Sequence, residues 1–580
     1  MWKKNKLILK SVRQYKIFAI LTPLFMIGEA ATECIMPFVM SILVDTTSLG
    51  VNEGKLNGFS DMFTKLTYIN ENLGLNFEVS MFTLMIILVC MSIFSLFCGI
   101  MGGRTAAKAS CGFAANLRSD LYRKIQTFSF SNIDKFSSSS LVTRMTTDVN
   151  NVQMSFQMCI RIVVRAPLMM IFSAVMAFVS GGSLAWIFVI MIPIVGFGLG
   201  MVVAKAMGIF TKVFKRYDAL NQSVEENVSG IRVVKSFVRE DFEKEKFNKA
   251  SDNITNDFIK AEKIVAFNNP IMNTAVHISN VLIIGIGSYL IWKTQTDVLW
   301  DKTKLTIGQM SSLLTYGIQI LMSVMMVSMI LVMLTLSLEC AKRIAEVLME
   351  EPSIKNPENP IMEIEDGSVD FENVDFKYSL NAEKNTLEDI NIHIKPGQFI
   401  GILGSTGSGK TSVVNLISRL YDVTDGCVKV GGHDVKEYDL KVLRDNVSVV
   451  LQKNVLFSGT VRSNLKWGDE NATAEDMIKA CQIAQVDDYI RSYSEGYDHP
   501  IEQGGANVSG GQKQRLCIAR AILKRPKILI LDDSTSAVDT KTDRLIRKGL
   551  KEDIPDTTKI VIAQRISSIE DADQIIIMDD

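Results

Sequence analysis

Phe399-Ile-Gly-Ile-Leu-Gly-Ser-Thr-Gly-Ser-Gly-Lys-Thr-Ser-Val-Val-Asn-Leu-Ile-Ser-Arg-Leu-Tyr421 is the stretch that decides what kind of domain closes this 580-residue chain. Phe399–Leu403 is an apolar run of strand length, and Thr411–Tyr421 has the apolar spacing of a helix. Between them lies Gly404-Ser405-Thr406-Gly407-Ser408-Gly409-Lys410-Thr411, a glycine-rich loop ending in Lys-Thr. Strand, G-x-x-x-x-G-K-T and helix in that order make a phosphate-binding loop, because glycines let backbone N–H groups close around phosphates at a helix N-terminus. The run from Gly404 through Ser412 is therefore expected to hold ATP, with Lys410 reaching the β/γ oxygens and the Thr411 hydroxyl ligating Mg²⁺.

Working outward, Ile528-Leu-Ile-Leu531 is a four-residue apolar strand that ends in Asp532 and Asp533. This fits a Walker B element whose first Asp holds the Mg²⁺ shell; a core strand capped by solvated acids is the plainer alternative. Short β-rich runs alternate with amphipathic helices from residue 367 to 580, the pattern of an α/β domain. Before it, residues 350–366 bring Pro352, Pro357, Pro360 and acidic residues without apolar periodicity, which is linker chemistry.

The first part of the chain reads differently. About six stretches approach the ~20 apolar residues that a membrane-crossing helix needs: Ile17–Val44, Met81–Gly103, Ala166–Val179 with its flanks, Leu184–Val203, Thr274–Trp292 and Met310–Leu338. Ile17–Val44 follows a basic start but is too long for a secretory signal and lacks a small-residue cleavage site. Positive loops stay in the cytoplasm, and Arg104, Lys108, Arg118, Arg123, Lys124, Lys135 and Arg144 follow the second span. The first loop instead holds Asp45, Glu53, Asp61, Glu71 and Glu78 against Lys55 and Lys65, so it is expected outside and both termini inside. The connections after spans two and four run to ~60 residues, far beyond ordinary helix links. Both look helical, so the spans are expected to project into the cytoplasm. The division is residues 1–345 in the membrane domain, 346–366 as linker and 367–580 as nucleotide-binding domain.

Val508-Ser509-Gly510-Gly511-Gln512-Lys513-Gln514-Arg515 lies between the two nucleotide motifs and closely resembles the signature motif of ABC transporters. The resemblance extends over nearly the whole chain. It implies an α-helical six-span transmembrane domain fused to an α/β P-loop ABC nucleotide-binding domain. Gln452 matches the Q-loop that senses the γ-phosphate and joins Thr411 and Asp532 as a metal-site residue; Tyr378, in VDFKYSL, matches the aromatic that stacks on adenine; Ser536-Ala-Val-Asp539 matches the D-loop. SLVTRMTTDVNNVQ and NVSGIRVVKSFVRE are similar to the two cytoplasmic loops whose coupling helices seat in grooves of the motor domains. Family architecture implies two such chains clasping two ATP molecules, each held by one chain's P-loop and the other's signature, here Ser509, Gly510, Gly511 and Gln512.

Two positions depart from the family pattern. The catalytic Glu after Walker B is Asp533, one methylene shorter, and the switch histidine is Gln564 in Ile560-Val-Ile-Ala-Gln564-Arg565. A withdrawal of ~1 Å can cost ~100-fold in rate, and Gln564 has no ionisable proton to share. With the signature intact, these changes resemble the degenerate subunit of heterodimeric bacterial multidrug exporters, as does IEQGGANVSGGQ. The expectation is a subunit whose own site turns over slowly while its signature completes a second half-transporter's site; a sluggish homodimer is the alternative.

Net charge is −1, without the concentrated basic surface of a nucleic-acid binder. The nine cysteines, without CxxC or metal-like spacing to His, read as free thiols. Among 29 methionines, Met322, Met325, Met326, Met329 and Met333 crowd the last span, which suits either an adaptable pocket for hydrophobic small molecules or packing against membrane lipid. Glu29 and Glu33, one turn apart in the first span, could receive a cationic substrate, pair with a base on a neighbouring helix, or sit near enough to the outer leaflet to be hydrated. Rival readings are a lipid or peptide exporter and, in a different class, an ATP-gated channel or sensor. Relatives usually continue beyond a strand such as DQIIIMDD, so truncation at Asp580 is expected.

Overall fold

The computed structural model describes residues 2–48, 81–296, 305–379 and 382–579. The chain divides into two compact units, Met1–Ile125 with Ser139–Met349, and Gln126–Ser138 with Glu350–Asp580. Its main helices in the first part are α1 (Lys16–Ser48), α2 (Met81–Gln126), the short α3 (Phe130–Phe136), α4 (Val164–Gly181), α5 (Trp186–Ser229), α6 (Ile231–Ser236), α7 (Glu240–Val265), α8 (Asn268–Thr296) and α9 (Ile307–Met349).

The first unit is helical. Among the described residues, five stretches are long and apolar enough to cross a membrane: Lys6–Asp45, Thr83–Gln126, Ser138–Phe210, Glu240–Trp292 and Ile307–Ile330. The sequence reading counted six. The difference lies in Ser138–Phe210, whose 73 residues contain both the third and the fourth expected spans. What separates those two is a 3-10 turn at Gly182–Ala185, entered through Gly182 at φ +50 after the small residues Ser180 and Gly181. At 1.5 Å per residue the 46 residues of α2 and the 44 of α5 are about 69 and 66 Å long, more than twice the ~30 Å of hydrocarbon, so both must extend beyond it. Glu53, Lys55, Asp61, Lys65, Glu71 and Glu78, on which the outward placement of the first loop rested, lie outside the described residues.

Polar contacts inside this unit are paired across helices. Arg165 on α4 donates to both oxygens of Glu33 at 2.8 Å and lies 3.5 Å from Glu29. The two carboxylates of α1 thus meet a base on a neighbouring helix, one of the three roles open to them from sequence. Farther along, the fully buried Asp148 accepts from Arg343 Nε at 2.9 Å and Nη2 at 2.5 Å, tying the segment before α4 to the far part of α9.

The second unit is built on a five-stranded sheet of β3 (Phe399–Gly404), β6 (Val447–Val450), β7 (Ile528–Asp532), β8 (Thr558–Ile562) and β9 (Gln574–Met578). Its order is β9-β3-β8-β7-β6, with every pair parallel. A second, antiparallel sheet holds β1 (Val369–Phe376), β2 (Leu387–Ile394), β4 (Asp425–Val430) and β5 (His433–Asp434) in the order β2-β1-β4-β5. The parallel strands are apolar at consecutive positions because each face has its own core. Ile400, Ile402, Ile528, Ile530, Ile560 and Ile562 pack with β1 and with α10 (Lys410–Ile417). Phe399, Leu529, Leu531 and Val561 pack instead with α11 (Gly510–Leu523) and α12 (Thr540–Asp553).

The helix after the glycine-rich loop is shorter than the periodicity suggested. It stops at Ile417, where Arg419 takes φ +49 and the Arg419 and Leu420 N–H groups turn back to the carbonyls of Leu416 and Asn415. Leu420 and Tyr421 therefore leave the helix axis, with a consequence for Tyr421 described below.

Candidate functional site

In a parallel sheet, loops that leave the carboxyl ends of neighbouring strands gather at one edge, where α/β domains bind ligands. Here those loops carry most of the candidates. Gly404 ends β3, Asp532 ends β7, Gln452 follows β6 by two residues, and Gln564 follows β8 by two. The register aligns Val450 with Leu531 and Val561 with Leu531, so residues just beyond these partners converge.

The glycine-rich loop makes its turn through Gly407 at φ +100 and Gly409 at φ +85, conformations that L side chains rarely adopt. Ser408 hydrogen-bonds the Ser405 carbonyl, and Lys410 Nζ donates to the carbonyls of Gly404 at 3.0 Å and Ser405. The lysine is thereby curled over its own loop, at the N-terminus of α10 where an anion is favoured. Ser405, Thr406 and Gly407 are exposed; Ser412 lies buried in the first turn of α10.

Thr411 Oγ1 donates to Asp532 Oδ2 at 2.9 Å. Asp532 is 2% exposed, and burial pushes its carboxyl above the ordinary aspartate range, against the Thr411 hydrogen bond that favours the charged form. A hydroxyl and a carboxylate side by side are hard oxygen donors, which suit Mg²⁺ completed by nucleotide phosphates and water. Thr411 and Asp532 would hold the ion, which would neutralise charge on the transferring phosphoryl group.

Asp533 sits at φ +48, its N–H on the Ile562 carbonyl at 3.1 Å and its carbonyl accepting from Ser536 Oγ at 3.0 Å. Gln564 Nε2 donates to Asp533 Oδ2 at 3.0 Å. Burial raises the Asp533 carboxyl, while the Gln452 side chain and the Arg565 and Lys410 charges act to lower it. The two departures from the family pattern and Gln452 are thus brought together on one carboxylate.

Tyr378 is half-exposed beside this loop, its hydroxyl 2.9 Å from Ser412 Oγ and its ring edge-on to Phe376 and Tyr421. Ser509 caps α11: its N–H donates to Gln512 Oε1 at 2.7 Å and its hydroxyl accepts from Gln512 N at 3.4 Å, a capping box that leaves Gly510 exposed at the helix N-terminus. Gly511 has to be glycine on packing grounds, since a Cβ there would stand 2.8 Å from the Ala537 carbonyl oxygen.

Three functional neighbours were missed from sequence. Gln514 accepts from Ala537 N at 3.0 Å and donates to Ser536 Oγ at 3.2 Å, and Arg565 donates to the carbonyls of Ser536 and Val538, so both brace the 536–539 turn. Tyr421 packs beside Tyr378. The legible signal for Gln514 was a polar residue on the apolar face of α11; for Arg565 and Tyr421 no sequence signal existed.

Comparison with known proteins agrees with this geometry. The family described as ABC transporter transmembrane region matches residues 19–325, and the family described as ABC transporter matches 387–536. An uncharacterized ABC transporter ATP-binding protein of Mycobacterium tuberculosis is 36% identical over 484 residues, 83% of this chain and 80% of that protein. A putative ABC transporter ATP-binding protein of Mycoplasma pneumoniae is 30% identical over 588 residues, 99% of this chain and 94% of that one. Among solved structures, a bacterial Atm1-family ABC exporter with ATP bound shares the fold at a TM-score of 0.76 and 20% identity, covering 98% of this chain and 93% of its own.

Proposed function

The chain belongs to the ABC transporter family, with an N-terminal transmembrane region fused to an ATPase domain whose activity is coupled to transport, and from that premise we propose that it is one subunit of a heterodimeric exporter of hydrophobic or amphipathic compounds. The observation that carries the heterodimer is the pair formed by Asp533 and Gln564. Where the family places a carboxylate that polarises water and a histidine, this chain has a shorter carboxylate engaged by an amide at 3.0 Å. Its own P-loop site binds Mg²⁺·ATP and hydrolyses it slowly; Ser509, Gly510, Gly511 and Gln512 complete the partner's competent site.

Two surfaces support a dimer. On the membrane unit, α6 and its flanks expose Val233, Phe237 and Val238, the last two more than 70% exposed. On the ATPase unit, a cavity of about 450 Å³ beside the Gln452 loop is walled by Leu451, Val455, Phe457 and Trp467. An apolar knob and a cavity with one apolar wall and a basic one, from Arg444, Lys453, Arg520 and Lys524, fit exchange with a second half-transporter. We divide the chain at 1–345, 346–366 and 367–580. We also read Ser138–Phe210 as crossing the membrane twice about its turn at Gly182, giving six spans, with the ATPase unit and both termini in the cytoplasm. Exposed Met322, Met326 and Met329 on α9 supply an adaptable apolar surface for varied cargo.

The test uses the purified transporter with its partner in proteoliposomes, following ATP-dependent dye accumulation and ATP turnover. Replacing the partner's catalytic Glu is expected to remove nearly all turnover, and Asp533→Ala here to remove little. The reverse ranking overturns the degenerate-site reading. Brisk hydrolysis and transport by this chain alone replaces the heterodimer with a homodimer, and dye flux without accumulation against a gradient replaces the pump with a channel.

A further inference from the structure

Tyr421 is the hub of an aromatic cluster. Its ring lies edge-on to Tyr378 at 5.1 Å, and its centroid is 5.8 Å from that of Phe376 and 6.1 Å from that of Phe130 on α3. Its hydroxyl donates to Asp134 Oδ2, also on α3, at 2.5 Å. The far sides of the cluster are fixed. Tyr378 is held to Ser412 in the first turn of α10. α3 is held through the buried Asn132, which donates to Glu350 Oε1 and the Glu351 carbonyl at 3.1 Å and accepts from Ser353 N at 3.1 Å. Burial pushes the Tyr421 phenol well up, so it stays a donor to Asp134 across the physiological range.

We propose that Tyr421 is a positioning residue that sets the ring of Tyr378 for the nucleotide base and, through Asp134, reports whether that base is present to the segment 126–138. The signal is assigned to the purine, which meets the cluster at Tyr378; the alternative route from the phosphates, through Ser412, is what the tripolyphosphate comparison below excludes or reveals. Edge-to-face rings have geometric preferences, so a base stacking on one face of Tyr378 constrains the tilt of the ring edge-on to it. Tyr421 cannot reorient without straining or releasing its bond to Asp134. The inference rests on the reading of Tyr378 as the base-stacking residue.

The experiment compares hydrogen exchange of residues 130–136 in the full transporter with nothing added, with saturating Mg²⁺·ATP and with saturating inorganic tripolyphosphate. ATP is expected to slow exchange in this segment about five-fold, the lower end of ordinary site-to-site coupling, and tripolyphosphate to leave it unchanged. Tyr421→Phe keeps the ring contacts and loses only the donor, and Asp134→Ala loses the acceptor. Each is expected to abolish the ATP effect, and the double variant to do no more than either alone. Equal protection by tripolyphosphate, an ATP effect that survives Tyr421→Phe, or additive single variants would overturn the proposal. Failure of the underlying reading looks different: Tyr378→Ala would then bind ATP as tightly as the unaltered protein, with tripolyphosphate and ATP indistinguishable in every variant.

Discussion

At Ser509 the N-terminus of α11 closes on itself: the capping box satisfies two donors, Gln514 and Arg565 brace the turn at 536–539, and Gly511 leaves room for the Ala537 carbonyl. At the end of β7 the same ATPase unit is less settled. Asp532 is buried with a raised proton affinity, and Asp533, at φ +48, has its carboxylate engaged by Gln564. One end is a capped helix start with its cap hydrogen bonds made and Gly510 exposed. The other sets two adjacent carboxyls against burial, which raises both, with Thr411, Gln452, Arg565 and Lys410 acting the other way. The difference teaches that the two ends are supported by different residues, so a change at one need not loosen the other.

The largest expected effect separates the two ends. Gly511→Val puts a side chain into the Ala537 carbonyl, and a displacement of about 1 Å at a catalytic surface costs on the order of 100-fold. Turnover of the assembled transporter is expected to fall by that much, while photolabelling of this chain's own P-loop by an ATP analogue stays unchanged. If labelling falls in parallel, the two ends are not independent. A smaller effect is expected from restoring the chemistry. Asp533→Glu with Gln564→His should raise single-turnover hydrolysis at this chain's site about ten-fold, part of the penalty of a misplaced carboxylate. No gain would show that the φ +48 backbone, fixed by Ile562 and Ser536, aims the side chain away whatever its length.

Much of this was readable from residues in order. The glycine-rich loop and the β7 aspartates are local patterns whose physics is complete within about ten residues, so sequence placed them on the right elements. What escaped depends on distant partners. The helix after the loop was read through Tyr421 because its apolar spacing continues, whereas Arg419 ends it by going left-handed. Arg165 as the partner of Glu33 lies 132 positions away, and no periodicity on either helix announces such a pair.

The smallest expected effect tests whether the β7 end is under strain at all. Burial is the largest influence on Asp532 and raises its proton affinity, with Asp533 adding repulsion; the Thr411 hydrogen bond and the Lys410 charge act the other way. A carboxyl whose folded pKa lies above its unfolded value binds its proton more tightly in the folded state, so folding is favoured below both values and part of that stability is lost as pH rises through the folded value. At neutral pH the ionised group is therefore a net cost. Asp532→Asn removes the charge while keeping the shape and an acceptor for Thr411, and is expected to raise Tm of the nucleotide-free protein at pH 7.5, with the gain vanishing as pH falls through the raised pKa. The further rise in Tm on adding Mg²⁺·ATP should shrink, because a metal ligand is gone. A fall in Tm at neutral pH would mean that Thr411 and Lys410 outweigh burial, leaving the β7 end as settled as the cap at Ser509 and the contrast between the two without its electrostatic basis.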